Sequence, residues 1–245
     1  MKRREDLAAE LRRLGLGSGD AVCVHSSFRS LGPLENGAET VIPALLDVIG
    51  ADGTLMFPAF TFSLLNVDSP LWSYEESASC VGYLSEYFRT RHAAMRSIHI
   101  SHSYSAVGRR TAEFLTHPLD ITPCGTESPL TKLMRAGGKV LMLGCGYNSL
   151  TAIHVFEEAM KVPYVRFHDM PGARFSRGGE VRPLPSQVVY PFAYDFERLS
   201  GPLEKCGAAV SGTVGLAPSR LLDGPGMEAC VTAILRENPL ALSRD

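Results

Sequence analysis

The chain has 245 residues, 45% of them hydrophobic, and 24 Lys and Arg against 26 Asp and Glu give a formal charge of -2. That is enough apolar material for a sizeable α/β core, and so even a charge leaves no electrostatic footprint for nucleic acid. No apolar run reaches membrane-spanning length, no signal-peptide pattern follows the basic start, and the six cysteines are scattered without a CxxC pair, so a cytoplasmic, non-membrane protein with reduced thiols is expected.

Leu7, Leu11 and Leu14 fall on one face of a short N-terminal helix. Residues 20–24 read as a strand that opens onto His25-Ser26-Ser27, and residues 36–50 carry Val41, Ile42, Leu45, Leu46 and Ile49 in helical register. A second strand over 54–58 is stopped by Pro58, and the irregular stretch 59–79, which holds the only tryptophan, Trp72, is a candidate substrate wall. Helix is expected over 82–91, strand over 103–107, and helix over 128–135 with Pro129 in its first turn.

Residues 139–143, Lys-Val-Leu-Met-Leu, have the length and content of a buried strand, which Gly144 and Gly146 break. Asn148, Ser149 and Thr151 then offer caps for a helix in which His154 lies three and four residues before Glu157 and Glu158. An imidazole one turn into a helix behind a strand's carboxyl end, with a carboxylate in reach, suits a general base; a buried histidine bonded to a backbone carbonyl fits the same residues. Beyond residue 161 the pattern becomes extended and Pro- and Gly-punctuated, with a hairpin turn at 176–180. Residues 194–206 read as helix, 208–214 as strand, 218–222 as a short turn of helix, and 227–236 as a terminal helix. The whole is expected to be one domain over 1–245 with a substrate-side excursion around 161–196.

Three further constellations leave alternatives open. The turn 25–32, His-Ser-Ser-Phe-Arg-Ser-Leu-Gly, can hold an anion on free N–H groups and hydroxyls, with Arg29 helping, or is an ordinary serine-rich turn; it lacks a Walker lysine and any GxGxxG spacing. Thr126 or Ser128 caps the helix after Gly125 or helps hold a phosphate, with Lys132 nearby. His99 and His102 invite a metal reading, but on an extended segment an offset of three sends the rings to opposite faces, and no metal is expected.

In order along the chain, these residues resemble the aminoglycoside 3-N-acetyltransferase (antibiotic N-acetyltransferase) family. Its V-H-S-S-x-x-S-L-G turn matches residues 24–32, its S-x-H-x-x-x-S-x-x-A-x-G segment matches 97–108, and its G-x-G-Y-x-x-x-T-x-x-H-x-x-E segment matches 144–157. The Glu127-Ser128-Pro129-Leu130 turn and a late segment over 214–221 join them, so the resemblance runs from about residue 20 to 240. It implies a three-layer α/β/α fold with a central mixed, largely parallel sheet, distinct from the common N-acetyltransferase superfamily. It also implies direct acyl transfer from acetyl-CoA to an amine, without an acyl-enzyme.

The family's general base falls on His154, with Glu157 the better candidate to steady it and Glu158 the second. Its pantetheine and pyrophosphate contacts fall on Ser26, Ser27, Phe28, Arg29, Ser30 and Leu31 and on Thr126 and Ser128; candidate substrate contacts are Thr61, His99, Tyr147 and Asp195. The chain departs from the pattern in length, in having Ile100 where the family has proline, and in residues 181–195, where aminoglycoside-modifying relatives carry acidic residues and this chain has its first carboxylate after Glu180 at Asp195. A polycationic antibiotic needs several carboxylates in its cleft, so the acceptor is expected to be a less cationic small-molecule amine, from antibiotic resistance or from biosynthesis. Three other readings stand beside this one: an acyl carrier-protein thioester as donor, a hydrolase with metal on His99, His102 and His154, and a silent binding protein. The sequence does not set the oligomeric state.

Overall fold

The computed structural model describes residues 1–116, 122–189 and 191–244. Helix α1 (Arg4–Leu14) turns Leu7, Leu11 and Leu14 inward and ends at Gly15, whose φ of 107° needs a residue without Cβ. β1 (Ala21–Ser26), α2 (Ala38–Ile49) and β2 (Thr54–Pro58) follow as a strand, helix and strand unit. Next come β3 (Leu71–Ser73), α3 (Tyr83–Arg91), β4 (Met95–Arg96), β5 (Tyr104–Gly108), α4 (Thr111–Leu115) and α5 (Pro129–Arg135). β6 (Lys139–Leu143) and α6 (Ala152–Met160) carry the glycine-punctuated motif, and β7 (Phe167–Asp169), β8 (Arg174–Arg177), β9 (Glu180–Pro183) and β10 (Gln187–Val189) form the excursion. α7 (Ser200–Lys205), β11 (Ala209–Val214), β12 (Ala217–Asp223) and α8 (Gly224–Glu237) complete the chain.

The main sheet has the order β11-β12-β6-β1-β2-β5-β4. β6, β1 and β2 are parallel, and antiparallel strands flank them on both sides, so five of the seven strands point the same way. Strand residues alternate between two cores. Val22, Val24, Leu55, Phe57, Leu141 and Leu143 pack with α1, α2 and α3, whereas Cys23, Met56, Val140 and Met142 pack with α4, α5, α6 and α8. Burial on both faces explains the unbroken apolar runs, since each fully buried Leu, Val or Phe contributes about 1.5–3 kcal/mol. Helices on both faces of a mixed sheet make the expected three layers. Among the described residues, no helix is long and apolar enough to cross a membrane.

A third, smaller core lies outside these layers. β3 runs parallel to β8, β8 pairs with β9 through a two-residue turn at Gly178 (φ 57°) and Gly179 (φ 84°), and β7 pairs with β10. Trp72, Ile100, Ala173, Phe175, Leu184 and Val188 pack between them. Here the expectation of an irregular stretch over 59–79 is corrected in one respect: it contains a strand, in which Trp72 is fully buried. Arg96 ties it down. Its guanidinium lies 4.5 Å from the Trp72 ring centre and donates to the carbonyls of Ala59 (2.9 Å) and Ser77 (2.6 Å); burial pushes its pKa down to about 9, still cationic at neutral pH.

Two other expectations change. Residues 218–222 are not a turn of helix but the middle of β12, where Ser219 and Leu221 point inward and Pro218 is exposed. Residues 194–206 are not one helix: Tyr194 bridges to Ser243 as extended chain, Phe196–Leu199 form a single 3-10 turn, and α7 begins only at Ser200.

Candidate active site

The site is built where β1 and β6, neighbours in the sheet, end. The chain leaves β6 through Gly144 at φ 74°, where a Cβ would sit 2.8 Å from the Ser30 Cβ and 2.9 Å from the Ala217 Cβ. A Cβ on Gly146 would meet a Glu197 carboxylate oxygen at 2.4 Å. At Gly144 only glycine lets the turn pass so close under its neighbours, whereas at Gly146 the Glu197 side chain could swing aside. Asn148 then accepts from the N–H of Phe196 (2.9 Å), which fixes segment 194–196 beside the start of α6.

His154 lies in the first turn of α6. Its Nδ1 is 2.5 Å from Oε2 of Glu157, which is fully buried and accepts from the Tyr164 hydroxyl at 2.8 Å through its other oxygen. A carboxylate can only accept, so the shared proton belongs on Nδ1 and Nε2 keeps a lone pair. The imidazole is boxed by Phe192, Tyr194 and Phe196, with ring centres 5.9, 5.5 and 5.1 Å away.

Two cavities meet at this histidine. One, of about 210 Å³, is bordered by His25, Ser26, Cys145, Asn148, Ser149 and Thr151 along its polar side. The other, of about 370 Å³, is mostly apolar. Phe62, His102, His154 and Tyr194 border both. In the polar cavity, Nε2 of His25 and Oγ of Ser26 are buried without a hydrogen-bond partner among the described residues, and burial pushes the His25 pKa down to about 4. Burial also lowers the pKa of His102, with the nearby His99 and His154 adding to the effect. It raises the Cys145 thiol to about 11.

A family model described as aminoglycoside 3-N-acetyltransferase matches residues 23–236. The chain belongs to this family. Aminoglycoside N(3)-acetyltransferase VII of Streptomyces paromomycinus is 33% identical over 250 residues, covering 90% of this chain and 86% of that protein. A solved structure of AAC-IIIb in binary complex with CoASH superposes with a TM-score of 0.85 at 28% identity, covering 100% of this chain and 98% of the other. A histidine-to-alanine mutant of aminoglycoside acetyltransferase AAC(3)-IVa in complex with apramycin gives 0.83 at 26% identity, over 98% and 94%. The aminoglycoside 3-N-acetyltransferases are N-acyltransferase enzymes, with a fold distinct from that of the common N-acetyltransferase superfamily.

Against this family frame, the residues singled out from sequence fall into three groups. His154, Glu157 and Ser26 come together at the cavities. The rest of the serine turn lies beside them: Ser30 Oγ is 2.7 Å from Ser27 Oγ and 3.1 Å from the Gly144 carbonyl, Phe28 packs on Tyr83 at 5.1 Å, and Arg29 is exposed. Leu31 belongs to the core, its carbonyl accepting from the Leu216 N–H at 3.0 Å.

The third group borders neither cavity. Ser128 is fully buried as the cap of α5, accepting from the Thr131 N–H, while Thr126 is exposed and its carbonyl is held by Arg135. Lys132 donates to the Thr116 carbonyl and pairs with Glu127. Thr61 donates to the Ile100 carbonyl (2.6 Å), and His99 accepts the N–H groups of Ser101 (3.1 Å) and His102 (3.0 Å) on Nδ1. Tyr147 is buried under the Arg220 guanidinium, and Asp195 lies 3.7 Å from both Arg198 and Arg244. None of Thr61, His99, Tyr147 and Asp195 borders either cavity. Tyr190, within the departing stretch 181–195, lies outside the described residues.

For a metal, the rings of His99 and His102 are perpendicular with centres 6.0 Å apart, and among the described residues no group of three or more His, Cys, Asp or Glu is arranged to hold an ion. The set His99, His102 and His154 of the hydrolase reading is not such a group. Sequence reasoning gave Cys145 no role, took His25 only as the first residue of an anion-holding turn and took Glu158 only as the second candidate to steady His154; all three border the cavities. The signal available for His25 was its place at the carboxyl end of a buried strand, where an open sheet puts its ligands.

Proposed function

We propose that this chain is an acetyl-CoA-dependent N-acetyltransferase that acetylates a primary amine of a small molecule directly, with His154 as the general base. The observation that carries this reading is the Nδ1 contact to buried Glu157 at 2.5 Å, which leaves Nε2 as the ring nitrogen available at the wall shared by two cavities. The polar cavity beside the serine turn suits the donor, in keeping with the CoASH complex of AAC-IIIb. His154 takes a proton from the substrate ammonium and releases it to solvent, which frees the nitrogen lone pair to attack the thioester carbonyl. Once the C–N bond has formed, the nitrogen loses its second proton to His154, and as the C–S bond breaks that proton passes to the leaving thiolate, so that ammonium and thioester give amide, thiol and one released proton. Glu157 holds the imidazole in the required tautomer and steadies the imidazolium.

Neutral His25 and the Ser26 hydroxyl offer unpartnered polar atoms to the thioester oxygen, where charge develops. Cys145 borders the same cavity, but a thiol raised to about 11 is protonated at neutral pH, which disfavours an acyl-enzyme on it. The test is His154→Ala. Titration with acetyl-CoA should still show binding, while amine-dependent thiol release falls by about 10²-fold or more. A variant that keeps its rate refutes His154 as the base. Transfer from an acyl carrier-protein thioester without binding of acetyl-CoA refutes the donor.

A further inference from the structure

The larger cavity has a composition that bears on the acceptor. Phe62 and Leu65 from the long loop, Val165 and Phe167 from beyond α6, and Val189 and Phe192 from the excursion make its walls, and among the described residues that border it Glu158 is the only carboxylate. Glu158 stands one helical turn on from His154, so both face the same space. Its carboxylate is oriented by the Thr122 hydroxyl and by the N–H of Cys124 at 3.3 Å. Among the described residues, the other carboxylates nearby are engaged: Glu157 with His154 and Tyr164, Asp195 with Arg198 and Arg244, and Asp169 with the Gln187 amide.

We propose that this cavity receives the acceptor and that the acceptor is a monoamine, one primary ammonium on an aromatic or alkyl body, with Glu158 drawing the ammonium toward His154. The inference rests on the transferase reading and adds the substrate class. The one carboxylate among the described residues of the wall balances one ammonium; each further ammonium of a polyamine would lie against Phe, Val and Leu with little to replace its water, a cost of about tenfold or more in affinity. An apolar body instead gains from every wall it touches. At about 370 Å³ the space is at the small end of the range for small-molecule sites, which fits a compact acceptor. Burial pushes the Glu158 pKa up to about 7, and an arriving cation would hold the group ionised.

The experiment measures kcat/KM for thiol release from acetyl-CoA with phenethylamine and hexylamine against a kanamycin-type aminoglycoside, in the wild type and in Val189→Asp. The monoamines should exceed the aminoglycoside by about tenfold or more. Val189→Asp should lower the monoamine kcat/KM by about tenfold, chiefly through KM, and narrow the gap to the aminoglycoside, while the titrated affinity for acetyl-CoA is unchanged. Preference for the aminoglycoside overturns the substrate class and leaves the transferase standing. Loss of acetyl-CoA affinity in Val189→Asp, or a wild-type preference for hexanoyl-CoA over acetyl-CoA, assigns the cavity to the donor and overturns the placement. A wild type that neither binds acetyl-CoA nor releases thiol with any amine overturns both readings.

Discussion

His25 gives a prediction whose size follows from its burial. It is 6% exposed, lies one residue before the end of β1 at the polar cavity, and its imidazole is held down from 6.5 to about 4 because charging it would strand a cation away from water. A histidine depressed in the folded state contributes stability that is complete above its unfolded value near 6.5 and is lost as the pH falls toward 4, because the unfolded chain takes up the proton first. At 1.36 kcal/mol for each pH unit, the loss is about 2 kcal/mol at pH 5 and about 3 kcal/mol near pH 4. Asparagine fills part of the same space and does not titrate, so the wild type and His25→Asn share every other titrating group. Urea unfolding at a series of pH values from 7 to 4 should show the wild type's advantage over His25→Asn shrinking by that amount, or roughly 6–12 °C in melting temperature for a domain of this size. Parallel profiles for the two proteins would refute the neutral buried imidazole, and with it the polar partner it offers a thioester oxygen.

Glu158 should behave in the opposite sense. Its carboxyl is raised from 4.5 to about 7, so wild-type stability relative to Glu158→Gln falls as the pH rises through that window; after allowance for partial exposure the change is roughly 1–2 kcal/mol, read by the same unfolding series. Cys145→Ser should retain amine-dependent thiol release, and mass spectrometry of wild-type protein incubated with acetyl-CoA should find no acetylated Cys145. Trp72→Ala should lower unfolding stability by about 3–5 kcal/mol in denaturant titration, because it empties the centre of the small core and leaves the Arg96 guanidinium without its aromatic face.

What the sequence made legible was local. The runs of β1, β2 and β6 are apolar because both their faces are buried, and that pattern survives reading without a structure. The Gly144 turn, the Ser128 cap and the Gly178-Gly179 hairpin are chemistry of adjacent residues and were read for the same reason. β12 was not. Pro218 and the short alternation of 217–223 look like a turn until β6 and β11 pair with them on either side. The site divides along the same line: His154 and Glu157 are three apart on one helix, so their contact is visible in their spacing. His99 and Tyr147 lie within the motifs and Thr61 outside them, yet the side chains of all three serve the turns and the core, because which face of a loop is turned to a cavity depends on distant segments.

The ladder between β3 and β8 has a consequence for chimaeras. It joins the long loop after β2 to the excursion after α6, and Trp72 and Phe175 share one small core across it. Exchanging either segment alone with that of a relative would break a strand pairing and leave half of that core without its complement. The two stretches therefore form one unit of inheritance: acceptor preference should be transplantable when both are moved together with Arg96, and lost, along with folding of the region, when they are moved singly.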